Sequence, residues 1–172
     1  MSTEHLVLVG LMGAGKSTVG AECARRLERP FVDTDELVEA VTGTTIGELF
    51  ATVGEQAFRA HERTAVEDAC ASPEPAVISC GGGAVLDPDN RRRLRDRGFV
   101  VWLRAAPDVL ADRVRADGVD RPLLGPAGAV ATLERLAVTR QDAYEAAAHA
   151  IVDTDGRDVT QVADAVLETY RP

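Results

Sequence analysis

Lysine is almost missing from this chain. Of its 19 basic residues, Lys16 is the only lysine and all the others are arginine. The Asn-Lys-x-Asp element that reads guanine in GTPase switches needs a second lysine, so a GTP-driven switch is excluded. No stretch reaches the roughly 18 consecutive apolar residues of a membrane-spanning helix, and no membrane partner is expected. The start, Met1 to His5, lacks the basic flank of a signal peptide and runs straight into a strand pattern, so a cytoplasmic location is expected. Cysteine is sparse as well: Cys23, Cys70 and Cys80 are odd in number and form no C-x-x-C pair. That excludes a disulfide framework and a zinc site and suits reduced thiols. The three histidines offer no Ser/His/Asp arrangement, and there is no nucleophile elbow.

Repeats, low-complexity tracts and long linkers are absent too, so residues 1–172 are expected to form a single domain. A chain of this length can hide roughly two-thirds of the surface it exposes when unfolded. Its 45% hydrophobic and 27% charged residues are those of a folded protein. The net charge of −9 argues against coating nucleic acid or an anionic membrane, though not against a small basic pocket. The run Arg91-Arg92-Arg93-Leu94-Arg95-Asp96-Arg97 can be read as a nucleic-acid patch. At the end of a helix and without interleaved aromatics, it is better read as a solvated face that complements the helix dipole.

What is present is an alternation of strands and helices. Leu6-Val7-Leu8-Val9 is a short apolar run closed by Gly10, the pattern of a strand buried on both faces. Further strands are expected at Phe31–Asp33, Ala76–Ser79, Phe99–Leu103 and Ala150–Val152, which makes five. Helices are expected from Lys16 to Glu28, from Thr45 to near Gly54, from Glu55 to Ala71, after Asp87-Pro88, after Pro107, up to about Ala148, and at the end of the chain. The segment 117–128, rich in Gly, Pro and charge, reads as a loop. Strands alternating with helices imply a parallel sheet covered on both faces, an α/β fold.

Between the first strand and the first helix stands Gly10-Leu11-Met12-Gly13-Ala14-Gly15-Lys16-Ser17, a G-x-x-x-x-G-K-[ST] match. Its glycines let backbone N–H groups converge on phosphate oxygens, and the helix behind adds its positive end. Lys16 can reach the β- and γ-phosphates, and the Ser17 hydroxyl can ligate Mg²⁺. By chance such a string arises in roughly one window in tens of thousands, and here both flanking elements are in place. A chain that uses arginine everywhere else keeps its one lysine where a compact ammonium is wanted.

The acceptor side is less explicit. Extended alternation through Asp33-Thr34-Asp35 would point both carboxylates toward the ligand end of the sheet. One could help hold Mg²⁺ and the other accept a proton from an attacking hydroxyl; alternatively Asp35 only caps the next helix. Arg59 and Glu62 share a helix face and read by default as a surface ion pair, and His61 as a plain surface histidine. Gly81-Gly82-Gly83 is either a close backbone approach to a ligand or a flexible turn. Arg121, in the Gly/Pro-rich segment, can bring charge to reacting phosphates under a mobile lid. Tyr144 reads as core packing and Arg140 as a solvated charge.

Taken in order, these elements resemble the shikimate kinase family over nearly the whole chain. The likeness runs from Gly10–Ser17 through Asp33-x-Asp35, Phe58-Arg59 with Glu62, Gly81-Gly82-Gly83, Arg121-Pro122-Leu123-Leu124 and Arg140-x-x-x-Tyr144 to Val152-Asp153-Thr154. The resemblance implies a three-layer α/β/α P-loop kinase fold with a five-stranded parallel sheet and a mobile lid over 117–128. It implies ATP-dependent phosphorylation of the 3-hydroxyl of shikimate, on the route to chorismate and the aromatic amino acids. It places ATP phosphates on Gly13, Ala14, Gly15, Lys16, Ser17, Thr18 and Arg121, with Mg²⁺ at Ser17 and Asp33. Arg113 and Arg157 fall near the adenine, with one residue more between Arg113 and Arg121 than the family pattern has. By the same resemblance Asp35, Arg59, Arg140 and Gly81, Gly82 and Gly83 are expected to bind shikimate, with Lys16, Asp35 and Arg121 catalytic. Two guanidinium forks suit a carboxylate ligand independently of any resemblance. The rivals are a gluconate or nucleoside-monophosphate kinase on the same scaffold and a non-catalytic ATP sensor. A monomer is expected, since no apolar stripe is left over once the sheet is covered.

Overall fold

The computed structural model describes residues 4–118 and 128–170. Five strands, β1 (His5–Val9), β2 (Phe31–Asp33), β3 (Val77–Ser79), β4 (Gly98–Arg104) and β5 (Ala150–Asp153), form one sheet in the order β2-β3-β1-β4-β5. Every pairing is parallel, with Leu6 opposite Val77 on one side and Phe99 on the other. β1 lies at the centre, and its apolar residues Leu6 to Val9 are wholly buried. An uninterrupted apolar run is what a strand covered on both faces requires.

Among the described residues seven α-helices cover the sheet: α1 (Lys16–Leu27), α2 (Thr34–Thr42), α3 (Ile46–Ala71), α4 (Pro88–Arg97), α5 (Pro107–Asp117), α6 (Ala129–Ala147) and α7 (Val159–Thr169). α1 pairs with α7, α4 packs against both α3 and α6, and α5 packs on α6. The result is three layers, α/β/α. Leu8, Ile78, Leu94, Leu103, Leu110 and Leu133 are among the largest fully buried side chains and fill the core between them.

Local chemistry sets the boundaries. Thr45 and Glu48 close a capping box at the start of α3, and Asp87 accepts from Asp89 N at 2.8 Å to start α4 behind Pro88. The expected break at Gly54 appears as a kink inside α3, where φ is +79°. One expectation is corrected. The extended reading of Asp33-Thr34-Asp35 stops at Asp33, which caps α2 by accepting from Asp35 N at 2.9 Å. Asp35 therefore stands in the first turn of a helix, and Asp33, not Asp35, is the cap. The arginine run is also more engaged than a solvated face: Arg91 donates to Val85 O at 2.6 Å, and Arg95 donates to the carbonyls of Ala146, Ala147 and Ala148 at the end of α6. Arg92, Arg95 and Arg97 nevertheless stay exposed, and Arg95 and Arg97 stand in the last turn of α4, as a solvated face that complements the helix dipole requires. Among the described residues no helix is long and apolar enough to cross a membrane.

Candidate active site

The turn after β1 is shaped by its glycines. Gly10, Gly13 and Gly15 all have positive φ, at +148°, +80° and +90°. Space is denied to side chains as well: a Cβ on Gly13 would lie 2.8 Å from Leu110 O, and one on Gly10 would collide with Leu103 O. Gly15 is the N-cap of α1 and supplies no side-chain cap, so the first-turn N–H groups are left for an anion. The Lys16 ammonium reaches across the turn to Leu11 O at 3.0 Å. Ser17 Oγ donates to Asp33 Oδ2 at 2.7 Å and lies 3.5 Å from the Ser79 hydroxyl.

Two cavities open on this turn. The first, about 510 Å³, runs along Gly13 to Thr18, including Ala14, and on to Arg113, Thr154 and Arg157. Arg113 is tied down there: Nη1 donates to Thr154 Oγ1 at 2.9 Å and to Gly13 O at 3.3 Å, and Nη2 to Thr154 O at 3.0 Å. It joins the loop after β5 to the phosphate turn, while Arg157 lies exposed on the cavity edge. The second cavity, about 610 Å³, is lined by Arg59, Glu62, Gly81, Gly82, Gly83 and Arg140, with Phe50 and Phe58 on its apolar side. Met12, Ser17, Asp33 and Asp35 belong to both, so the two cavities are continuous at the carboxylate pair.

The glycine loop is the hinge of the second cavity. Gly81 N donates to Thr34 Oγ1 at 3.0 Å. A Cβ on Gly81 would lie 2.6 Å from Asp35 Oδ1 and 2.8 Å from Glu62 Oε1, and one on Gly83 would overlap the Arg59 guanidinium. Three glycines here allow three charged side chains to approach the backbone, which decides against a mere flexible turn.

Arg59 and Glu62 are paired at 2.7 Å, but not at the surface: Glu62 is only 2% exposed. Burial pushes the Glu62 carboxyl above its usual range, against the pull of Arg59 and Arg140. Burial opposes the charge on Arg59 too, but Glu62 and Glu55 outweigh it and hold that guanidinium charged. Arg140, expected to be solvated, is 4% exposed, and Tyr144 is 1% exposed. Both sit under the glycine loop, which covers that side of α6. His61 is half-buried. Burial drives the Cys80 thiol well up, which keeps it an inert apolar filler beneath the loop.

A family model described as shikimate kinase matches residues 12–171. The chain belongs to the shikimate kinase family. A shikimate kinase of Symbiobacterium thermophilum is 47% identical over 95% of this chain and 94% of its own length. One of Dechloromonas aromatica is 46% identical over 87% and 80%. Among solved structures, shikimate kinase from Acinetobacter baumannii in complex with shikimate superimposes with a TM-score of 0.93 at 33% identity, over 98% of this chain and 93% of that one. A gluconokinase from Sinorhizobium meliloti 1021 shares the fold alone, with a TM-score of 0.61 at 21% identity.

For this family member, the residues singled out from the sequence converge: Lys16 in the first cavity, Ser17, Asp33 and Asp35 at the junction, and Arg59, Arg140 and Gly81–Gly83 around the second cavity. Arg121 and most of the segment 117–128 lie outside the described residues. Sequence reasoning missed Ser79, which ends β3 beside Ser17, and Thr34, which receives the Gly81 N–H. It also left Glu62 as a surface partner. Ser79 carried a signal, being the last polar residue of a strand running into the glycine loop.

Proposed function

We infer that this enzyme transfers the γ-phosphoryl group of ATP to the 3-hydroxyl of shikimate, giving 3-phosphoshikimate and ADP. The observation that carries this reading is the continuity of the two cavities. A carboxylate-binding chamber with Arg59 and Arg140 opens onto the phosphate turn at Ser17, Asp33 and Asp35. A hydroxy acid gripped by two guanidinium groups would present its hydroxyl at that opening.

Each residue then has a task. Gly13, Ala14, Gly15, Lys16, Ser17 and Thr18 cradle the phosphates, and Arg113 and Arg157 border the base. Asp35 takes the proton as the acceptor oxygen bonds to phosphorus and the bond to the ADP oxygen breaks. Lys16 stabilises charge on the transferring group, and we assign Arg121 to the same work from its place in the sequence. The oxygen donors Ser17 and Asp33, 2.7 Å apart, fit Mg²⁺. No group of three His, Cys, Asp or Glu among the described residues forms a cage of its own, as suits a metal that keeps waters and phosphates as ligands. Held there, Mg²⁺ would supply positive charge to offset that of the phosphates.

Three buried free thiols agree with a cytoplasmic enzyme. The exposed large apolar residues Val41, Val53, Leu86, Val138, Ile151 and Val159 come from six different elements, which favours a monomer. ADP release with shikimate, gluconate and nucleoside monophosphates, each with Mg·ATP, tests the reading. Turnover confined to shikimate is expected, and background rates with shikimate would overturn it.

A further inference from the structure

Tyr144 lies on α6 one turn after Arg140 and heads the fully buried side chains by volume. A buried phenol needs a partner for its hydroxyl, and here the partner is not in the core. Oη donates to the Gly82 carbonyl oxygen at 2.6 Å, on the loop that floors the acceptor cavity. Within that loop the Gly81 and Gly83 carbonyls each accept from the backbone, from Ala84 N and Leu86 N at 3.0 Å. The middle carbonyl is served by Tyr144 instead.

The ring is anchored from the opposite side. It stacks on Trp102 with centroids 5.3 Å apart and planes at 19°. Arg104 lies over the Trp102 ring at 5.6 Å and is itself held by both oxygens of Asp153. The phenol therefore stands on β4, next to the central strand of the sheet. The space a Cβ would take on Gly82 lies 3.6 Å from Arg140 Nη1 and 3.4 Å from Gly10 O. Loop, phosphate turn and guanidinium therefore meet at Gly82, whose carbonyl the hydroxyl holds. Burial, partly opposed by Arg140, pushes the phenol up to about 12, so it stays a donor at any working pH.

We propose that Tyr144 is a positioning residue for the acceptor: with its ring seated on Trp102, its hydroxyl holds the Gly82 peptide beside the Arg140 guanidinium at the distance a carboxylate ligand needs. The inference rests on the kinase reading above. It separates Tyr144 from a packing residue, because phenylalanine would fill the same space and keep the stack, yet leave the Gly82 carbonyl without its donor.

The test is steady-state kinetics of Tyr144→Phe, alone and combined with Arg140→Ala. The expected result is a shikimate KM raised about fivefold to twentyfold, with kcat within about twofold and the KM for ATP unchanged. Emission of Trp102, the only tryptophan in the chain, should stay as in wild type because the stack survives. In the Arg140→Ala background the substitution should add less than about twofold, since both changes act on one contact. An unchanged shikimate KM would reduce Tyr144 to core packing and overturn the proposal. So would a parallel rise in both KM values with a lower Tm, or full additivity with Arg140→Ala. Wild-type turnover of shikimate beside an unaltered variant overturns this inference alone, whereas wild-type enzyme inert toward shikimate overturns the functional reading and this inference with it.

Discussion

Gly83 and Arg59 are packed so closely that the guanidinium occupies the volume a Gly83 side chain would take. The backbone at Gly83, φ −101° and ψ −4°, suits any residue, so the glycine is required for space and not for conformation. Gly83→Ala should therefore fold normally, with Tm within about 2 °C of wild type, because the flexible end of Arg59 can move aside. The displaced guanidinium no longer meets the acceptor, and the shikimate KM should rise about tenfold with the ATP KM unchanged. Equal effects on both substrates would show that the loop, not Arg59, had moved.

Gly10 makes the contrasting case. A Cβ there meets the Leu103 carbonyl, which is backbone of the sheet, and φ is +148°. Neither can yield cheaply. Gly10→Ala should cost about 1–3 kcal/mol in stability and abolish nucleotide binding together, measured by urea unfolding and by ATP titration. Normal stability with normal ATP affinity would show that the turn is more pliable than its contacts imply.

Glu62 should impose an acid limb on acceptor binding. Burial raises its carboxyl above the ordinary value of 4.5, so it takes up a proton earlier than an exposed glutamate as pH falls. Protonation removes the anion that holds Arg59 at 2.7 Å. The shikimate KM should climb on the acid side with a midpoint above 4.5 in wild type. In Glu62→Gln it should be raised already and flat through the same range. A midpoint unaffected by that substitution would assign the limb to another group.

These contrasts mark where the sequence could be read and where it could not. β1, the phosphate turn and the caps at Thr45 and Asp87 were legible because each depends on neighbours a few residues away. Asp33-x-Asp35 was misread because spacing cannot say whether a strand ends in extended chain or in a cap, and here Asp33 turns inward onto Asp35 N. The spacing of Arg59 and Glu62 announced a pair but not its burial. That burial is imposed by the loop at Gly81–Gly83, some twenty residues on. Arg140 looked like a solvated charge for the same reason; Tyr144 is the core ring it was read as, but the carbonyl that claims its hydroxyl lies 62 positions away.

His5 makes stability depend on pH. Its Nδ1 accepts from Ala76 N at 3.0 Å at the start of β1, so the ring must be neutral at that nitrogen. Burial, helped by Arg29 and Arg97, lowers its pKa below 6.5 against the opposing pull of the Cys70 and Ser72 backbone. In the unfolded chain the ring charges first. The contribution is thus fully present above 6.5 and is lost as pH falls from there toward the lower folded value. Burial lowers His149 in the same sense, its Nδ1 accepting from Val100 N at 2.9 Å. Urea unfolding between about pH 5 and 8 should show stability falling on the acid side, and less steeply in His5→Asn, which keeps an acceptor but does not titrate. Identical slopes in the two proteins would exclude His5 as a source.

The carboxylate grip of Arg59 and Arg140 is tested most directly by calorimetric titration of shikimate against its methyl ester. Wild type, Arg59→Ala and Arg140→Ala are compared in the presence of a non-hydrolysable ATP analogue. Wild type should bind the ester at least about tenfold more weakly than shikimate, and each variant should lose about 1.5–3 kcal/mol for shikimate while nearly ceasing to distinguish the two ligands. Variants that keep the full wild-type preference for the free acid would contradict the grip, and with it the proposed orientation of the acceptor toward the phosphate turn.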